Sequence, residues 1–220
     1  VPKIVDHDKR RVELVEATWR IIAKRGIEGA TMREIAMEAG FANGALKPYF
    51  PTKDDLLTFA FAHVFNQTNA RMGNSTAHQH GLSALRSYCH EILPLDAERL
   101  NEARIAIAFW QRALTDPAKA ALHDSSMEQW RESLFARLRE ARDLGELKEG
   151  LNDDDIVGGI MTFALGAQIT ATLTPEHHSP DQLRSQLEAY LSLISAERSA
   201  LVPTAGSASS HEGGRFLSGC

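Results

Sequence analysis

The sequence predicts an all-α fold, on three observations. Residues that can share one helix face recur at helical spacing along most of the chain, as in Leu14, Val15, Thr18, Ile21 and Ile22 near the start and Leu183, Leu187, Tyr190, Leu191 and Ile194 near the end. Helix-start signals stand ahead of these stretches at Thr31, Thr52, Asp116, Asn152 and Ser179. No Val/Ile/Thr-rich alternating segment bounded by turn residues occurs, so the strands of the other fold classes have no source.

Taken in order, residues 8–25 read as a first helix closed by Gly26 and Gly29, with Trp19 beside the apolar stripe as core. Thr31-Met32-Arg33-Glu34 has the T-x-x-E form of a capping box, in which hydroxyl and carboxylate satisfy the amides of a helix start. Met32, Ile35, Ala36 and Ala39 then put one apolar stripe on a helix barely two turns long, and Gly40 ends it. Residues 43–50 read as a second short helix, with Phe41, Leu46 and Phe50 turned inward and Asn43, Ala45 and Lys47 outward. Two short helices around a Gly-containing turn make a helix-turn-helix, whose second helix suits a DNA major groove.

Thr52-Lys53-Asp54-Asp55 opens a further helix, expected to run to about residue 71. Its unpaired amides and the Lys53 charge together favour a phosphate. Residues 72–81 are polar and Gly-bounded and read as a connection; His78-x-His80 within it reads as solvated loop in preference to a metal pair, because no Cys or carboxylate cluster supports it. Helices follow at 82–93, 97–115 and 117–144, the last with Asp116 as cap and Pro117 in the first turn. Asn152 and Asp153-Asp154-Asp155 cap and charge the next, and capping accounts for the acidic triplet without a metal. The helix itself, 156–173, is apolar nearly all round, with Gly158, Gly159 and Gly166 permitting close approach, so it must be covered on every side. Ser179-Pro180-Asp181 starts the last helix, and the Gly/Ser/Ala-rich residues from Val202 read as a disordered tail.

The 220 residues suffice for one large domain or two modest ones. Uninterrupted apolar runs are short of the roughly 20 residues of a membrane span and no leader opens the chain, so a cytoplasmic protein without a membrane partner is expected. The chain starts on Val1, not Met, which leads us to expect that the first native residues are absent. Cys89 and Cys220 make no disulfide framework. The net charge of −5 argues against a nucleic-acid partner until it is divided: residues 1–53 carry 10 Lys/Arg against 7 Asp/Glu, and the remainder 14 against 22. A basic end on an acidic body can face phosphates while the body is repelled by them. Lys9-Arg10-Arg11 fits that face and equally fits an ordinary solvated one.

The order T-x-R-E-I-A-x-E-A-G-F-A-x-G-A-L-x-x-Y-F-P-x-K-D-D-L resembles the DNA-binding segment of the TetR family of bacterial transcriptional regulators, over roughly residues 9–57. The pair Lys47-Pro48 departs from the usual aromatic followed by His or Arg, which puts the base-reading side chains in question, and Ala42 departs from a frequent capping Ser, which leaves the cap to Asn43. Ala108-Phe109-Trp110, Leu114-Thr115-Asp116-Pro117, Trp130-Arg131, Gly145-Glu146-Leu147 and Asp153 are similar, in that order, to the C-terminal region of BetI-type members. Choline-related sensing is one possibility among many there.

The resemblance implies a helix-turn-helix domain at 1–51, a helical effector-binding and dimerisation domain at 52–201 and the tail at 202–220. It implies a homodimer presenting two recognition helices to a near-palindromic double-stranded operator, with half-sites about 34–36 Å or a longer multiple apart. Lys47 is the first candidate for base readout, followed by Asn43, Gly44 and Ala45 with neighbouring Ala42; Thr31, Arg33, Tyr49 and Lys53 suit phosphates, and for Tyr49 packing against the first helix serves equally. A small-molecule effector would occupy a cavity in the body, for which Phe59, His63, Tyr88 and Trp110, then Met127, Trp130, Phe163 and Gln168, are candidates that also suit plain core. Pairing of the last two helices with their symmetry mates would involve Ile156, Ile160 and Ala167 with Leu183, Leu187, Tyr190, Leu191 and Ile194, although a large monomeric core explains the same apolarity.

Two rival classes stand beside this. An enzyme would need a Gly-rich phosphate loop, a nucleophile elbow or a Cys/His ligand array, and the sequence offers none, so no catalytic residue, metal or cofactor is assigned. A helical ligand-binding or interaction protein that has lost DNA binding finds its support in Lys47-Pro48.

Overall fold

A computed structural model describes residues 7–42, 44 and 46–196. Among these, eight helices follow one another: α1 His7–Gly29, α2 Met32–Glu38, α3 Lys53–Thr76, α4 Gly81–Ile92, α5 Ala97–Ala113, α6 Pro117–Asp143, α7 Asp153–Leu173 and α8 Pro180–Ile194. The described residues hold no strand, and a lone antiparallel bridge between Leu147 and Ser195 ties the end of α8 to the α6–α7 connection. The expected tail from 202 lies outside the described residues.

Local capping explains most helix starts. Thr31 accepts from the Glu34 amide at 3.2 Å while Glu34 takes the Thr31 amide at 3.1 Å, and Thr52 with Asp55 repeats the reciprocal arrangement at 3.1 and 3.0 Å. Asp116, Asn152 and Ser179 cap α6, α7 and α8 with their side chains. Such caps contribute about 1 kcal/mol each and fix where the backbone turns.

Three boundaries differ from the sequence reading. α1 continues through Gly26 to Gly29, so only the second glycine closes it. α3 runs on to Thr76, which shortens the expected connection 72–81. The reason is tertiary: Met72 is buried, the Thr76 hydroxyl donates to the Met72 carbonyl, and Arg137 from α6 donates to the same hydroxyl at 3.1 Å. The third difference concerns 43–50, expected as a helix, where residues 44 and 46–49 form turns. Gly44 sits at φ 87°, a left-handed conformation that suits glycine and breaks a helix. Lys47 N reaches Gly44 O at only 3.4 Å, Tyr49 and Phe50 both donate to Leu46 O, and Pro48 has no amide to give.

The helices enclose two apolar clusters. One gathers α1, α2, the turns at 46–50, the first half of α3 and the α5 stretch from Ile105 to Phe109, so it runs continuously across residue 51. At its centre the Phe61 and Phe109 rings lie parallel at 6° with centroids 4.0 Å apart. The other gathers the second half of α3 with α4, α6, α7 and α8 around Leu85, Leu134, Leu138 and Ile160.

α7 corrects the reading of apolar runs: over 18 residues its mean hydropathy is 1.6, long and apolar enough to cross a membrane by length and composition. Its Gly, Thr and Gln residues interrupt the runs without making the segment polar. Within the bundle one side of it, including Ile160, Ala164 and Gln168, is buried, and Gly159 lets the Tyr190 ring of α8 come so close that a Cβ there would collide with it. The Tyr190 hydroxyl then donates to the Ile156 carbonyl at 3.0 Å.

Candidate nucleic-acid interface and effector cavity

The turns after α2 have an inside and an outside. Leu46 and Phe50 are buried at 2% and 3%, which anchors the segment, whereas Ala42, Gly44, Lys47 and Pro48 are exposed. Tyr49 is half-buried and meets Phe41, which follows α2, edge-on at 6.0 Å and 83°. Arg33 is exposed on α2. Thr31 is exposed, but its hydroxyl is engaged in the cap, donating to Glu34 at 2.9 Å. Lys53 opens α3, half-buried. Asn43 and Ala45 lie outside the described residues.

The basic stretch at the start of α1 turns partly inward. Arg10 places its guanidinium 5.2 Å from the centroid of Phe41 and pairs with Glu13 at 2.8 Å. Arg11 stands over Phe50 and Phe59 at 5.8 and 5.6 Å. Stacking of this kind braces the turns from behind while leaving positive charge near them.

In the body, α3, α4, α5, α6 and α7 enclose a small cavity. Its apolar walls include Phe61, Phe65, Trp110, Met127 and Trp130, and its polar groups are Thr68, Glu91, Arg99, Glu102 and Gln168. The room inside is about 30 Å³, against the ~10–15 Å³ that one water needs, so a larger occupant must push side chains outward. Four of the eight effector candidates, Trp110, Met127, Trp130 and Gln168, line it. The other four do not line it. Phe59 and His63 lie on the α3 face toward α1, stacked on each other at 6.4 Å with Trp19 6.0 Å from His63. Tyr88 lies under the Arg137 guanidinium at 4.4 Å, where burial pushes its hydroxyl up to about 12. Phe163 packs on the body core. Spacing assigns residues to a helix face but not to the neighbour that face meets.

An ion cluster flanks the cavity that the sequence reading missed. Arg71 holds Glu102 with two bonds at 2.8 and 2.7 Å and Glu91 at 3.2 Å, while Arg99 joins Glu91 to Asp96. Burial raises the Glu102 carboxyl above the usual range, against the lowering by Arg71. The signal was present: Glu102 shares a stripe with Ile105, Ala106 and Phe109, and a carboxylate on a buried stripe needs a buried partner. Elsewhere, Lys119 near the start of α6 bridges Asp54 of α3, at 2.5 Å, and Asp116.

Most of the residues expected at the dimer interface lie in the chain's own core. Ile156, Ile160, Ala167, Leu183, Leu187, Leu191 and Ile194 are all 6% exposed or less within the single chain, so they have no surface to give a partner; Tyr190 is half-buried. The surface of α7 lies on the stripe of Gly158, Thr162, Gly166, Ile169 and Leu173, with Ile169 41% and Leu173 73% exposed, and on α8 Leu193 is 68% exposed. A helix apolar all round gives no sequence clue to which side its own core takes.

Residues 14–58 match the family described as "Bacterial regulatory proteins, tetR family", and residues 82–196 match "BetI-type transcriptional repressor, C-terminal". The chain is 32% identical over 200 residues to the HTH-type transcriptional regulator PksA of Bacillus subtilis (strain 168), covering 90% of this chain and 95% of that one. The chain belongs to the TetR family. As a TetR-family member it is a DNA-binding transcriptional regulator, and the family's regulators act as dimers on operators and respond to small molecules. Solved structures carry the same fold. A transcriptional regulator from Rhodococcus sp. Rha1 is 28% identical with a TM-score of 0.73, over 84% of this chain and 95% of that one. One from Saccharomonospora viridis, in complex with choline, is 20% identical with a TM-score of 0.79, over 86% and 100%. The turns at 44 and 46–49 lie within the stretch that matches the family, with Lys47 on the outside.

Proposed function

We propose that this regulator is a repressor, released from a near-palindromic operator when a small molecule enters the cavity between α3 and α7. The reading rests above all on the recognition turns, which hold Leu46 and Phe50 inside and keep Lys47 and Gly44 outside. In it, Lys47 reads base edges with Gly44 and Ala42 close to the duplex, Asn43 and Ala45 beside them, and Arg33, Thr31, Tyr49 and Lys53 at the phosphates. Residues 1–51 form the DNA-reading unit and 52–201 the sensing and pairing unit. The protein acts in the cytoplasm, as an operator-binding regulator and not as a catalyst.

A second copy supplies what one chain cannot. The exposed α7 stripe from Gly158 to Leu173 combines glycines with room for a backbone, Ile169 and Leu173, the kind of apolar face that pairing with a symmetry mate would cover. Signal would pass along α6: Met127 and Trp130 line the cavity, and two turns earlier Lys119 is tied to Asp54, just after the recognition turns. An occupant that displaces α6 would shift the start of α3 and with it the spacing of the two Lys47 side chains.

Titration of duplex DNA from the protein's own upstream region at several salt concentrations tests the reading. Log affinity should fall linearly with log salt, and Lys47→Glu should weaken binding about tenfold or more at every salt concentration without changing thermal stability. Absence of binding at low salt would return the protein to the class of helical ligand binders that do not engage DNA, for which the irregular turns around Pro48 speak.

A further inference from the structure

The residues around the cavity narrow the chemistry of its occupant, on the reading above that the cavity is the effector site. Two features define it. The first is polarity along one axis. Glu102, Ala106 and Trp110 all face the cavity from α5, and eight residues separate the first from the last, or about 12 Å at the ~1.5 Å rise of a helix. The charged groups Glu91, Arg99 and Glu102 stand at one end, and Ala106, Phe61 and Trp110 continue toward the other. α3 runs the same gradient in reverse, from Phe61 to Thr68, and Arg71 ties Thr68 to the Glu102 end.

The second feature is which hydrogen-bonding capacity is left over. Both Glu102 oxygens are taken by Arg71, and Arg71 and Arg99 both donate to one Glu91 oxygen, Oε2. Two buried donors on lining residues have no acceptor, the Arg99 Nε at the charged end and the Trp110 Nε1 at the apolar end. A buried donor left unpaired is costly, and a ligand that brings an acceptor recovers that cost. Aromatic walls would attract a cation, but at the charged end it would stand beside the guanidiniums of Arg71 and Arg99, which repel it. An added anion would lie against Glu91 and Glu102. We infer that the cavity takes an uncharged, elongated, mostly apolar molecule about 12 Å long that carries a carbonyl-type acceptor, and not a quaternary ammonium compound.

A matched set of ten-carbon probes tests this: 2-decanone, decanoate and decyltrimethylammonium, each titrated into the full-length protein by calorimetry and by tryptophan fluorescence, with competition against bound DNA. The ketone should bind at least about tenfold more tightly than the ammonium compound and more tightly than the carboxylate. Trp110→Phe keeps an aromatic ring and removes one donor, and should weaken the ketone by about threefold to tenfold. Ala106→Leu narrows the slot and should abolish binding, provided its melting temperature and DNA affinity show it folded; if it does not fold, the Trp110→Phe comparison decides alone. Tighter binding of the ammonium compound or of decanoate, or a ketone affinity indifferent to Trp110→Phe, would overturn the ligand class while leaving an effector cavity in place. If no probe binds wild type more tightly than Ala106→Leu, or for want of that variant than Trp110→Phe, both the ligand class and the effector reading of this cavity fall.

Discussion

The cluster around Phe109 and the cluster around Leu134 bury similar kinds of side chain and differ in what lies at their edges. The first has a surface of small and basic residues, with Ala42, Gly44, Lys47 and Pro48 outside and arginines 10 and 11 stacked on its rings. The second reaches inward to a mostly apolar cavity whose charged lining groups, Glu91, Arg99 and Glu102, are joined in one cluster with Arg71 and Asp96. Charge is left for solvent and phosphate at one end and confined at the other. α5 belongs to both: Phe109 and Ile105 sit in the first cluster and Glu102 and Arg99 beside the second, so the two ends share a lever.

The sharpest way to test that sharing is Phe109→Ala. The ring is fully buried against Phe61, and its loss should cost about 3–5 kcal/mol in urea unfolding. If the clusters are coupled through α5, near- and far-ultraviolet signals should still change in one transition; two separate transitions would break the comparison. Arg71→Met comes next, expected to cost about 2–3 kcal/mol because Glu102, 6% exposed, loses its partner while Arg71 itself is partly in solvent. The sign with pH is definite. The folded protein already binds a proton at Glu102 more readily than the unfolded chain does, and without Arg71 more readily still, so the deficit should shrink as pH falls toward the ordinary glutamate range.

How much of this was legible beforehand follows the range of the interactions. Thr31, Thr52, Asp116, Asn152 and Ser179 act within three residues, and each caps the helix its sequence announced. The motif around Gly40 and Lys47 is equally local, and it placed the chain in its family. What failed depended on distant neighbours. Met72 and Arg137 prolong α3, α5 and α6 meet α7, and the face of α3 bearing Phe59 and His63 turns to Trp19 instead of the cavity. The turns at 44 and 46–49 are the exception, a local failure, because a left-handed Gly44 and an amide-less Pro48 outweighed the helical spacing of Phe41, Leu46 and Phe50.

Smaller effects sharpen the coupling between the ends. Lys119→Met removes the tie from α6 to Asp54 and should leave DNA affinity within about twofold while reducing an effector's influence on it by about fivefold, read from DNA titrations with and without effector. His63 offers the mildest test. Burial lowers its proton affinity, with Glu16 opposing, so the stability it contributes is present above its ordinary value of 6.5 and is lost as pH falls from there. The melting temperature should therefore drop between pH 7.5 and 5.5, and His63→Phe should flatten that slope.

The central claim is that an exposed Lys47, duplicated by a two-fold partner, reads DNA. Selection of duplexes from a random library by the full-length protein addresses it most directly. The account predicts enrichment of an inverted repeat with half-site centres about one helical turn or a longer multiple apart, lost or altered at particular base pairs with Lys47→Glu. Enrichment of a single unrepeated site, or no enrichment beyond that of Lys47→Glu, would contradict it.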